Sequence, residues 1–240
     1  MLFSIRVILL TLLLLAVTFY GLLVFPFYYQ SKNRVYLVTK WFQQASRVFG
    51  LQVNVIKDQV AESVGQAVYI ANHQNNFDLF TLVHAVPKRT VTIGKKSIVW
   101  IPIFGLLYWI TGNFLLNRSN RKEAIATIDQ VVDKMRQTGL SIWMFPEGSR
   151  SRGRGFLPFK AGAFHAAIQA GVPIVPVVCS NTHKQVNWHR WNNGKVLVEM
   201  LAPISTKGLT ERDVPALMSK CAELMSQKHQ ELNRLLGRPI

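Results

Sequence analysis

The sequence predicts an α/β fold: a single mixed-sheet domain flanked by helices and preceded by an N-terminal membrane-anchoring helical segment. Three observations carry that expectation. After Gly50 short β-rich runs alternate with helical ones, which is the pattern of an α/β domain rather than of a bundle or sandwich. Several of those β-rich runs are continuously apolar, as strands buried on both faces are. From Val7 to Tyr29 no residue carries a charge. The 240 residues suffice for one domain with a real core and a modest appendage, but are few for two. The only plausible boundary is near residue 50, with 1–49 as the anchor and 50–240 as the main domain.

The apolar N-terminal run has about the ~20 residues that a bilayer-spanning helix needs. A cleaved signal peptide has a shorter apolar region ending in small residues, whereas here Phe25, Pro26, Phe27, Tyr28 and Tyr29 follow, the composition of an interfacial belt. The segment is therefore read as retained. Lys32, Arg34, Lys40 and Arg47 lie beyond it and a lone Arg6 before it, so a spanning helix would leave the main body in the cytoplasm, at the inner membrane. Gly21 and Pro26 equally permit an interfacial hairpin. Val38, Trp41, Phe42, Ala45, Val48 and Phe49 recur at helical spacing, with Lys40, Gln43, Gln44 and Arg47 opposite. That second helix either completes a two-helix anchor in one leaflet or packs on the domain.

Strands are expected at Leu51 to Ile56, Ala67 to Ala71, Thr90 to Ile93, Leu140 to Phe145, Val172 to Val178 and Lys195 to Leu201. Asn120 caps a helix whose face is Ile125, Ile128, Val132 and Met135, ending near Gly139. A second helix runs from Phe159 to Ala170 and stops at Gly171. The last starts at Thr210, with Asp213 three residues on, and continues through Leu217, Cys221, Leu224 and Leu232.

The chain carries 28 Lys and Arg against 12 Asp and Glu, a formal charge of +16, so its partners are anionic: nucleic acid, phospholipid headgroups or an acidic carrier. No long basic block or RNA-type aromatic signature is present, and the apolar N-terminus favours an anionic membrane leaflet over nucleic acid. The two cysteines, Cys179 and Cys221, lie far apart without histidine at ligand spacing, so neither disulfide nor zinc is expected; both read as small buried residues.

Chemistry concentrates in three stretches. Asn72-His73-Gln74-Asn75-Asn76-Phe77-Asp78 follows a strand and has six polar side chains in seven positions, too many for a core. His73 and Asp78 are about 140° out of phase on a regular helix and meet only across a turn, which Asn75-Asn76 supplies. A carboxylate on one imidazole nitrogen fixes the tautomer and frees the other nitrogen as a base. The bland alternative is that Asp78 merely caps the next helix and His73 lies at the surface. No Gly-x-Ser-x-Gly elbow or base-adjacent cysteine is present, so the substrate would supply the attacking oxygen.

The second stretch is Phe145-Pro146-Glu147-Gly148-Ser149-Arg150-Ser151, with Arg152, Arg154 and Lys160 beyond it and no acidic residue between Glu147 and Glu199. Gly148 permits close backbone approach, Ser149 and Ser151 offer hydroxyls, and Arg150 has the fork for phosphate. The third, Gly112 to Arg118, ends in another unneutralised Arg, and Lys95-Lys96-Ser97 adds cations. Lys95, Arg118 and Arg150 are expected to converge on one anion from separate loops; the alternative is solvated surface charge.

In this order these blocks resemble the glycerolipid acyltransferase family, and within it most closely the bacterial enzymes that acylate lysophosphatidic acid. The resemblance rests on His-x4-Asp at His73 and Asp78, the Gly-to-Arg block at Gly112 to Arg118, Phe-Pro-Glu-Gly-Ser-Arg-Ser at Phe145 to Ser151, and Val-Pro-x-x-Pro at Val172 to Pro176, and spans roughly residues 50 to 205. It implies an acyltransferase catalytic domain that moves a fatty acyl group from acyl-ACP or acyl-CoA to the sn-2 hydroxyl of 1-acyl-sn-glycerol 3-phosphate, giving phosphatidic acid. His73 is then the base and Asp78 its orienter. Lys95, Arg118, Glu147, Gly148, Ser149 and Arg150 are then substrate-binding, with Glu147 orienting an Arg or binding a glycerol hydroxyl, and the Val-Pro block supports the acyl side. No metal and no cofactor beyond the thioester carrier is implied. Another lysophospholipid acceptor, or a lipid hydrolase using the same pair, are the alternatives within enzymes; a non-catalytic basic protein docking on membranes is the alternative outside them.

Overall fold

The computed structural model describes residues 1–28 and 32–238; Tyr29, and residues 239–240 of the expected main domain, lie outside the described residues. The chain opens with α1 (Leu2–Val24) and α2 (Arg34–Val48), then β1 (Leu51–Lys57), α3 (Gln59–Ser63), β2 (Val68–Ala71), α4 (Asp78–Thr81) and β3 (Thr90–Lys95). α5 (Phe104–Ile110), β4 (Phe114–Leu116), α6 (Arg121–Thr138), β5 (Ser141–Met144), α7 (Gly162–Ala170), β6 (Ile174–Cys179), β7 (Gly194–Met200) and α8 (Val214–Leu235) follow.

The seven strands form one mixed sheet in the order β1-β7-β6-β2-β5-β3-β4, with β6, β2, β5, β3 and β4 mutually parallel and β7 antiparallel to β6. β2, β5 and β6 are buried at every position, as strands covered on both faces must be. The chain leaves β2 toward β3 on one side and leaves β5 toward β6 on the other, although β2 and β5 are neighbours. Loops at the carboxyl ends of two such strands diverge and open a crevice, where α/β sheets place their ligands.

All six expected strands are present, with ends displaced by one or two residues, and β4, α3, α4 and α5 are additional. α6 starts as its cap predicts: Asn120 Oδ1 accepts from Glu123 N at 3.1 Å, and Gly139 ends the helix at φ +66. α7 begins at Gly162, three residues later than its apolar pattern indicates. Thr210 and Asp213 make a capping box, but around a 3-10 turn over Glu211–Asp213, and α8 proper starts at Val214 with Pro215 in its first turn. Cys179 and Cys221 are both buried free thiols.

At about 1.5 Å per residue α1 is roughly 35 Å long, enough to cross a bilayer core. Its most apolar window has a mean hydropathy of 2.7 and is 17% buried. It nevertheless lies along the domain, packed on α2 and α5. Arg6, Val17, Thr18 and Gly21 are buried, with Leu10, Leu13, Leu14 and Val24 partly so, a single stripe at spacings of three and four. A Cβ on Gly21 would come within 2.9 Å of Ile110 Cδ1, so that residue sets how closely α1 meets α5. The remaining faces of α1 are apolar and exposed, Leu12 and Phe19 among them.

The expectation that Arg6 flanks the far side of a spanning helix is therefore corrected. Arg6 is 1% exposed, enclosed by the domain at the end of α1 opposite the turn into α2. The aromatic belt is split as well, with Phe27 and Tyr28 exposed and Phe25 buried. The second helix is integral to the core: Val35, Val38, Phe42, Ala45 and Phe49 belong to the same buried cluster as the sheet, so residue 50 marks no break in packing.

Candidate active site

The loops that carry the three sequence blocks leave the carboxyl ends of β2, β5 and β4, and Lys95 closes β3. In the first loop Asn75 Oδ1 accepts from Phe77 N at 2.8 Å, an Asx turn that reverses the chain within five residues. This brings Asp78 Oδ2 to 2.6 Å from His73 Nδ1. The same oxygen accepts from Gln74 N at 2.7 Å and Asn75 N at 3.2 Å. Asp78 thus points back into the turn rather than capping the helix it begins, which rules out the bland alternative. Its Oδ1 is buried and has no partner among the described residues, leaving part of the carboxylate charge uncompensated beside the imidazole.

His73 is held on three sides. Its ring stacks on Phe145 at 4.1 Å between centroids and 19° between planes. Its backbone N–H donates to Glu147 Oε1 at 2.7 Å, and its carbonyl accepts from Ser151 N at 2.8 Å. Nε2 has no hydrogen-bond partner among the described residues, and the side chain is 17% exposed. An imidazole tied at Nδ1 and open at Nε2 can take a proton from an incoming hydroxyl and return it to a leaving group.

Six polar residues in seven were expected to exclude a core position; the structure corrects this, since Asn72, Gln74 and Asp78 are all buried. The reason is backbone from the β6 loop. Asn72 Nδ2 donates to Cys179 O at 3.0 Å and its Oδ1 accepts from Cys179 N at 2.8 Å. Gln74 Nε2 donates to Cys179 O and Ser180 O, and its Oε1 accepts from Thr182 N at 2.8 Å. A satisfied amide can lie in a core, and these two rivet the turn to the neighbouring strand end. Block composition signals the site, but not which members face the substrate.

Glu147 departs most from its expected role. It is buried, Oε1 on His73 N and Oε2 accepting from Leu157 N at 3.0 Å, and pairs with no Arg among the described residues; it lines a small cavity with Gln74, Ser151 and His229. Burial raises its pKa, opposed chiefly by those two backbone bonds. Its carboxylate braces the His73 loop. Gly148 adopts φ +69, where a Cβ would also press within 3.1 Å of the Lys160 stem. The carbonyl of Gly148 accepts from the Arg118 guanidinium, which joins the β4 and β5 loops.

Arg118 is half-buried, and desolvation lowers its pKa while the neighbouring Tyr108 raises it. Behind it Tyr108 is half-buried, its hydroxyl 2.7 Å from Thr92 Oγ1, and Asn113 Oδ1 accepts from Thr92 N at 2.8 Å. Ser149 and Arg150 are exposed and their side chains make no hydrogen bond among the described residues. Lys95 is exposed at the same sheet edge, its register partner Leu116 being two residues before Arg118. The Gly148–Ser151 loop is thus brought against the His73 turn and Arg118 against Gly148, with Lys95 exposed at the end of β3. The Val-Pro block lies in and just before β6, a strand buried at every position. Among the described residues no three His, Cys, Asp or Glu side chains converge as a metal site requires.

Sequence reading missed Phe145 as the ring's stacking partner, Thr92 and Asn113 behind Arg118, and Thr182, which accepts from Asn75 Nδ2 at 2.9 Å. Phe145 and Asn113 stand within the sequence blocks, whose residue types do not say which way each side chain faces, and Thr92 and Thr182 lie outside every block.

The family model described as Acyltransferase matches residues 52–180. The 1-acyl-sn-glycerol-3-phosphate acyltransferase of Escherichia coli is 47% identical over 234 residues, 98% of this chain and 96% of that protein. The protein of the same name from Haemophilus influenzae is 48% identical over 88% of each chain. That from Salmonella typhimurium is 54% identical over 80% of this chain and 79% of its own length. The crystal structure of the 1-acyl-sn-glycerophosphate (LPA) acyltransferase PlsC from Thermotoga maritima superposes with a TM-score of 0.69 at 23% identity, covering 96% of this chain and 98% of that one, and shares the fold. With a catalytic-type His-Asp turn, an Arg-lined neighbouring loop and matches of this extent, the chain belongs to the acyltransferase family.

Proposed function

We propose that the protein transfers a fatty acyl group from a thioester to the sn-2 hydroxyl of 1-acyl-sn-glycerol 3-phosphate, forming phosphatidic acid. The observation that carries the mechanism is the His73–Asp78 pair, bonded at Nδ1 and open at Nε2. His73 Nε2 takes the hydroxyl proton as that oxygen attacks the thioester carbonyl. Asp78 stabilises the imidazolium, the tetrahedral oxyanion collapses with cleavage of the C–S bond, and His73 returns the proton to the thiolate. The substrate supplies the nucleophile, so no acyl-enzyme forms.

Arg150, Arg118 and Lys95 receive the acceptor's phosphate, Arg150 from its exposed loop and Arg118 from its anchorage on Gly148. Ser149 lies beside them, while Gly148 shapes the loop. The donor is acyl-ACP or acyl-CoA; both are anionic and suit a chain of formal charge +16. Residues 1–49 anchor the enzyme on an anionic leaflet through the lipid-facing sides of α1, and residues 50–240 carry the chemistry at the cytoplasmic face of the inner membrane.

Enzyme in vesicles containing lysophosphatidic acid, supplied with labelled acyl-ACP or acyl-CoA, tests this reading. Label is expected in phosphatidic acid, dependent on the acceptor. Free labelled fatty acid produced equally without acceptor would identify a hydrolase instead.

A further inference from the structure

Arg6 is the one charged residue of α1, and the domain encloses its guanidinium without a carboxylate. Nε donates to Val48 O at 2.9 Å. One terminal nitrogen donates to Asn187 O at 3.1 Å and Trp188 O at 2.6 Å. The other donates to Arg190 O at 2.7 Å and Trp191 O at 3.3 Å. The guanidinium carbon lies 5.0 Å from the Phe49 ring centroid. Taking a cation out of water costs several kcal/mol unless its donors are met. Here backbone carbonyls meet them all, so the group cross-links α1 to the end of α2 and to the loop of residues 187–191, a role an apolar residue at this position could not fill.

That loop is itself held in shape. Asn193 Nδ2 donates to Phe49 O at 2.8 Å and to Asn187 O at 3.1 Å, and its Oδ1 accepts from Asn187 N at 2.6 Å. The loop carries Trp188, whose ring meets Phe3 of α1 at 5.3 Å, Phe49 at 4.9 Å and Phe77 at 6.1 Å. Phe77 also packs edge-on against Phe49 at 5.1 Å. Phe77 sits within the turn that joins His73 to Asp78 and directly precedes the carboxylate. An unbroken set of packed groups therefore runs from the membrane-seeking helix to the catalytic pair.

We infer that Arg6 is a positioning residue, coupling the seating of α1 to the geometry of the His73–Asp78 turn through Trp188, Phe49 and Phe77. The inference rests on the catalytic reading of that pair. It predicts that loosening the cage slows turnover while the enzyme still folds, still binds the bilayer and still binds its acceptor. Coupling of this kind is read from the non-additivity of substitutions.

The test compares wild type, Arg6→Gln, Arg6→Lys, Phe77→Leu and the Arg6→Gln/Phe77→Leu double variant in lysophosphatidic acid vesicles. Vesicle binding and melting temperature are recorded beside kcat and acceptor KM. Arg6→Gln is expected to lower kcat by about ten- to a hundredfold with KM within about twofold, the size of effect a slightly misplaced catalytic group produces. Arg6→Lys, which keeps the charge and three donors, should recover part of the rate. The double variant should lose less than the product of the single losses. If Arg6→Gln fails to fold, Arg6→Lys takes its place in the cycle. Multiplicative losses, or a loss fully accounted for by reduced folding or vesicle binding, would overturn the inference. An inactive His73→Ala beside a fully active Arg6→Gln would refute this inference alone, whereas an active His73→Ala would refute the catalytic reading beneath it.

Discussion

Glu147 shows how one side chain decides between two accounts of the site. The family resemblance implies that it orients an Arg or binds a glycerol hydroxyl, yet both its oxygens are engaged by the backbone N–H groups of His73 and Leu157. Removing it leaves two donors unpaired, at about 1–3 kcal/mol each if they stay buried, and frees the His73 loop to shift. Glu147→Ala is therefore expected to lower the melting temperature and reduce kcat by at least about tenfold, with acceptor KM little changed. A raised KM with kcat preserved would return Glu147 to the substrate. The same scale explains what sequence could show of the site. His73, Asp78, Arg118 and Arg150 stand in ordered blocks whose residue types declare chemistry. The two sides of a block differ only in whether a neighbouring strand end meets the side chain, as Cys179 and Ser180 meet Asn72 and Gln74. That pairing spans more than a hundred residues and leaves no local trace.

Among elements, those with strong periodicity or clear caps were legible: α6 between Asn120 and Gly139, and β2, β5 and β6 from their continuous apolar runs. β4 has three residues and α4 four, too short to establish a period. α5 was hidden in an apolar stretch that reads equally as loop or core. α1 was plain as an apolar helix, but its attitude was not, because hydropathy measures length and says nothing of what lies alongside. The proposed anchoring lays this helix in the interface, its buried stripe on the domain and its exposed apolar faces toward lipid. Leu12 and Phe19, 56% and 63% exposed, belong to the lipid-facing part. Replacing both with Asp should weaken vesicle binding by about tenfold or more, since each forfeits burial of a large apolar side chain. The melting temperature in detergent should stay nearly constant, as for other exposed positions. Unaltered vesicle binding would place the contact surface elsewhere.

At the scale of the whole molecule, the mixed sheet gathers the carboxyl ends of five parallel strands at one edge. In the proposed reaction β2 contributes the base, β5 its brace, and β4 and β3 the cations, while β6 rivets the turn from behind. The reaction asks for this division of labour: a fixed imidazole, a phosphate held by groups that need no proton transfer, and a nucleophile brought by the substrate itself. The N-terminal helices share the core with the sheet, so under the proposed anchoring an acceptor in the bilayer would meet the site on the same body that holds the membrane. The most direct test is the rate of acyl transfer to lysophosphatidic acid in vesicles by His73→Ala. The account predicts a fall in kcat of about a hundredfold to ten-thousandfold, with vesicle binding and melting temperature unchanged. Transfer near the wild-type rate by that folded, membrane-bound variant would contradict it.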